Sequence, residues 1–90
     1  LLDYARPGVS KIEEVSLPEV IRSVYELSKV TAKKTQIILN IEETGLTVRG
    51  DRDKLKQSLL NLMINSIEAT KNMAARDNKI HNITIRLLTF

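Results

Sequence analysis

Asn61, Asn65 and Glu68 follow one another at i, i+4 and i+7 inside a long, otherwise apolar stretch. On a helix that spacing stacks them on one face. A carboxamide oxygen is a neutral, hard ligand that can hold Mg²⁺ without competing with phosphate charge. A row of two carboxamides and a carboxylate could therefore line a metal-nucleotide pocket. The same spacing equally describes the solvent face of a helix. Against that plainer reading, asparagine is a poor mid-helix surface residue, where Lys, Glu or Ala fits better. Spacing alone leaves both readings open.

Other reactive side chains are few. The chain has no cysteine and one histidine, which excludes cysteine-ligated zinc and a histidine cluster. His81 sits in Lys79-Ile80-His81-Asn82 with no acidic residue following it, the context of a surface or loop histidine. Met63 and Met73 read as a core and a loop residue. Gly50 reads as a turn glycine, since no glycine-rich phosphate cradle surrounds it.

The elements that must position the row follow from local signals. Leu1 to Ala5 reads as a helix tail stopped by Arg6-Pro7-Gly8. Ile12 to Val15 suggests a weak edge strand. Ser16 as N-cap, Pro18 early in the helix and Glu19 closing a capping box start a helix predicted over 17–33. Its apolar residues, Leu17, Val20, Ile21, Val24, Leu27 and Val30, keep a helical period. Gln36 to Glu42 is rich in β-branched residues and predicts a strand; Thr44-Gly45 is a turn, and Leu46 to Arg49 is a second strand. Asp51 caps a helix predicted over 52–71. Leu55, Leu59, Leu62, Met63 and Ile67 form its apolar stripe, widened by Leu60 and Ile64, which predicts a mostly buried helix against a sheet. Residues 72–82 read as a mobile polar loop, and Ile83 to Leu88 as a closing strand. The fold class is α+β.

Composition narrows the function classes. With 42% hydrophobic residues the chain is too apolar for intrinsic disorder, and no apolar run approaches the roughly 20 residues of a membrane span. Absence of cysteine favours a reducing compartment. The net charge of +3 is spread along the chain without a dense block, and aromatics are only 3%, so a nucleic-acid stacking surface is disfavoured. Leu1-Leu2-Asp3-Tyr4 has no signal-peptide character and reads as a cut inside a longer protein.

The stretch from Gly50-Asp51 through Leu55, Gln57, Asn61-Leu62 and Asn65-Ser66 to Glu68-Ala69 resembles the N-box of sensor histidine kinases. Ser66 stands where alanine is commoner. Leu1 to Pro7 resembles the end of the dimerisation and phosphotransfer helix of these kinases, and Ser16 to Ile21 the first helix of their catalytic domain. The nitrogen-regulation and sporulation type is the subgroup most resembled. The resemblance implies the first half of a Bergerat-type ATP-binding domain. That is a two-layer sandwich with helices on one face of a mixed sheet, residues 1–9 being helix end and linker and 10–90 the partial domain. It implies ATP and Mg²⁺ as cofactors and Asn65 as a metal ligand. It places Asn61 on the phosphate side, where hydrolytic relatives carry a water-activating glutamate. Asparagine has no group to act as that base, so the implied reaction is phosphoryl transfer to a histidine. Glu68, where many kinases carry lysine, is assigned to the polar rim of the nucleotide site.

The family's adenine-reading Asp-x-Gly-x-Gly is absent from the sequence, as are the later glycine-rich boxes, so these residues alone are expected to be inactive. The implied partners are ATP, the kinase's own dimerisation domain and a response regulator, in a homodimer on the cytoplasmic side. A kinase-derived interaction module, pairing through an exposed strand edge, is the alternative.

Overall fold

A computed structural model of the chain describes residues 11–32, 35–42 and 44–88. The helix tail and linker expected over 1–9 lie outside these, as does the predicted helix end at Lys33. The order is β1 (Ile12–Ser16), α1 (Leu17–Thr31), β2 (Thr35–Ile41), β3 (Thr47–Asp51), α2 (Arg52–Asp77) and β4 (His81–Leu87). The α+β class holds. The strands form two two-stranded sheets, β1 antiparallel to β3 and β2 parallel to β4, so the mixed character is divided between two ladders.

Both helices begin where a side chain satisfies an orphan N–H. Ser16 Oγ accepts from the Glu19 N–H at 3.4 Å, with Pro18 in the first turn. Asp51 Oδ1 accepts from the Lys54 N–H at 3.1 Å, and its Oδ2 accepts from the Lys11 N–H at 3.1 Å. Asp51 therefore caps α2 and ties it to the residue preceding β1. These donors, that of Lys54 foremost, hold its carboxyl below the usual carboxylate range.

Helix α2 runs to Asp77, six residues beyond the predicted end, across part of the expected loop. No glycine or proline interrupts Asn72 to Asp77, so nothing breaks the ladder. Asn78 ends it in the left-handed conformation, φ 56°, donating its N–H to Ala74 O at 2.9 Å. Asp77 Oδ1 accepts from the Lys79 N–H at 3.0 Å, and the carboxylate meets His81 Nε2 at 2.9 Å, clasping the helix end to the start of β4. The His81 contact is the foremost cause of a lowered Asp77 pKa. His81 is thus a strand residue with a fixed partner, not a loop histidine. Gly50 likewise belongs to β3, paired with Glu13.

The core lies where α1 and α2 cover the sheets. Val15, Val20, Val24, Ile37, Met63 and Ile67 form one buried cluster, with Leu55, Leu59, Leu60, Ile83 and Ile85 packed against it. Strand β2 turns Thr35 and Ile37 inward while Gln36 and Ile38 face out, the two-residue period of a half-covered strand. Thr35 Oγ1 lies 2.7 Å from Thr70 Oγ1. Because Thr70 gives its single hydroxyl hydrogen to Ile67 O, Thr35 is the donor, and the pair links β2 to α2 without leaving a polar orphan.

The expectation of a mostly buried α2 is corrected. Only Met63 and Ile67 are buried, while Leu62 is 61% and Ile64 48% exposed. Helix α2 meets α1 and the strands along the side that carries Met63 and Ile67, and the outer part of the apolar stripe lies beyond what these elements cover. Met73, expected in a loop, is an exposed residue of the same helix.

Candidate nucleotide-binding face

Helix α2 carries all three candidate residues, and they share one face. Asn61, Asn65 and Glu68 are each exposed, on the side of the helix away from Met63 and Ile67. Successive members rise by about 6 and 5 Å along the axis, at 1.5 Å per residue. The exposed Leu62 and Ile64 flank the row, so the polar line has apolar borders.

The two asparagines differ in their bonding. Asn61 Oδ1 accepts from Gln57 Nε2 at 3.0 Å, one turn earlier. The carboxamide of Asn65 and the carboxylate of Glu68 have no hydrogen-bond or ion-pair partner among the described residues. Gln57 is a residue that reasoning from the pocket chemistry did not single out as a site residue. Its signal was present as the i, i+4 spacing of two carboxamides, a pair known to meet on a helix surface.

The donor set suits a hard cation shared with a ligand. Among the described residues no group of three or more His, Cys, Asp or Glu could hold a metal on its own. A carboxamide oxygen free of protein partners can supply one ligand to Mg²⁺, which takes its remaining positions from phosphate oxygens and water. Asn65 meets that requirement.

Two open hollows lie elsewhere. A hollow of about 270 Å³ between α1, α2 and β4 is lined by apolar groups including Ile21, Val24, Leu59 and Met63. A wider groove of about 880 Å³ runs beside the C-terminal half of α2, past Lys71 and Lys79. Neither includes Asn61, Asn65 or Glu68. The polar row is an open wall.

No family model matches the chain. It is 30% identical over 71 residues to the signal transduction histidine-protein kinase AtoS of Escherichia coli K12, across 77% of this chain and 12% of that protein. Its fold matches the histidine kinase ThkA, in a crystal structure of that kinase with the response regulator TrrA. There the TM-score is 0.67 at 30% identity, covering 94% of this chain and 25% of ThkA. The chain thus spans about an eighth of the one relative and a quarter of the other.

Proposed function

Starting from a chain that is histidine-kinase-like in sequence and in fold, we propose that α2 forms the phosphate-and-metal wall of an ATP site in a two-component kinase. One observation carries the reading: Asn61 and Asn65 stand one turn apart on an exposed face, and only the second has a carboxamide without a partner among the described residues. Asn65 Oδ1 serves as the protein's ligand to Mg²⁺. Bound there, Mg²⁺ supplies charge neutralisation on the phosphates of ATP. Asn61 faces the phosphates themselves. Glu68 stands one turn beyond Asn65, where its negative charge belongs to the rim and away from phosphate oxygen.

Neither asparagine can take a proton from water at neutral pH. The wall therefore positions and neutralises without activating a hydrolytic nucleophile, which favours transfer of the γ-phosphate to a histidine. His81, held by Asp77, is not the acceptor this reading requires. Transfer to a histidine on the kinase's dimerisation domain follows, and then to a response regulator. ThkA's crystallisation with TrrA supports that partner class.

Autophosphorylation of the full-length kinase tests the assignment. Asn65→Ala is expected to lower the rate about a hundredfold, the scale of losing one group that stabilises charge in the transition state. A near wild-type rate would remove Asn65 from the site.

A further inference from the structure

We propose that Gln57 is a positioning residue: it fixes the Asn61 carboxamide so that the amino group, not the carbonyl, faces the nucleotide phosphates. The proposal rests on the nucleotide reading above. Gln57 lies one turn before Asn61 on α2, and its Nε2 donates to Asn61 Oδ1 at 3.0 Å. A carboxamide has one oxygen acceptor and one nitrogen carrying two donors, on opposite sides of the same carbon. Turning Oδ1 back toward Gln57 turns Nδ2 away from it. Asn61 then offers hydrogen-bond donors, which suit an anionic oxygen and do not suit a cation.

Asn65 is the contrast. No described residue engages its carboxamide, so its oxygen can turn to a metal. Two identical side chains one turn apart are given different work by what precedes each of them. Four residues before Asn61 stands Gln57, a donor that reaches it; four before Asn65 stands Asn61, and no hydrogen bond joins those two carboxamides. Ser58, the neighbour of Gln57, sends its hydroxyl to Lys54 O at 3.0 Å and leaves the Gln57–Asn61 pair undisturbed. Gln57 is exposed, so burial in the core does not explain it.

Gln57→Met keeps chain length and helix propensity while removing the donor. Isothermal titration of ATP into the full-length kinase, once with EDTA and once with Mg²⁺, reads the phosphate contact without and with the metal. Gln57→Met is expected to weaken ATP binding about three- to tenfold, equally in both conditions, with an unchanged melting temperature. In an Asn61→Ala background it is expected to add nothing, because its effect passes through Asn61. Wild-type affinity in Gln57→Met, alongside weakened binding in Asn61→Ala, would overturn the role of Gln57 alone. So would a loss that persists in the Asn61→Ala background. Unchanged affinity in Asn61→Ala would instead remove the nucleotide reading, and this proposal with it.

Discussion

Asp51 joins two parts of the fold through one carboxylate. One oxygen caps α2 through the Lys54 N–H, and the other receives the Lys11 N–H ahead of β1. Both bonds favour the ionised form, so its folded pKa is depressed. A depressed carboxylate adds stability above its unfolded pKa and loses it as pH falls through the folded one. Asp77 follows the same rule, through His81 and the Lys79 N–H. Asp51→Ala is accordingly expected to melt at a lower temperature than the wild type at pH 7. That deficit should begin to shrink as pH falls below the unfolded value of about 4, and close only as pH passes through the lower folded pKa, where the wild-type carboxylate is itself protonated. Thermal melting from pH 7 to pH 2.5 checks this, and a deficit independent of pH would contradict it. Asp51 and Ser16 were legible as caps because capping involves residues only three apart. The second bond of Asp51 was not, because it spans forty residues.

At the scale of the element, α2 separates what periodicity shows from what it hides. An apolar repeat identifies the helix and its stripe, but it does not say how much of the stripe a neighbour covers. Leu62 and Met63 are adjacent and both belong to the predicted stripe, yet Leu62 is 61% and Met63 6% exposed. Met63→Ala is expected to cost about 2–5 kcal/mol, the range for emptying a core site. Leu62→Ala should cost less than about 1 kcal/mol. Urea unfolding of the two variants decides it, and equal losses would contradict the observed packing. The far end of α2 was partly readable: Asn78 is a residue type that accepts the left-handed cap, and nothing before it breaks a helix. The polar composition of residues 72–77 suggested a loop because an exposed last turn and a loop share the same residue types. Strand pairing was less legible still. The sequence marks strands, but the pairing of β1 with β3 and of β2 with β4 joins partners 31 to 46 residues apart, which no local pattern encodes.

Across the whole molecule, core and candidate site lie on opposite sides of one helix. Met63 and Ile67 anchor α2 to α1 and the sheets, and that anchoring turns Asn61, Asn65 and Glu68 outward as an ordered row. That the three residues share one exposed face was readable from residue types at helical spacing. The difference between the two asparagines was not, since it lies in one hydrogen bond from Gln57. The central claim is that Asn65 carries the metal and Asn61 the phosphates. The most direct measurement is the gain in ATP affinity on adding Mg²⁺ to the full-length kinase, compared between wild type and Asn65→Ala. The expected result is that Asn65→Ala loses most of that gain while binding ATP in EDTA as the wild type does. A variant that keeps the full gain would contradict the assignment.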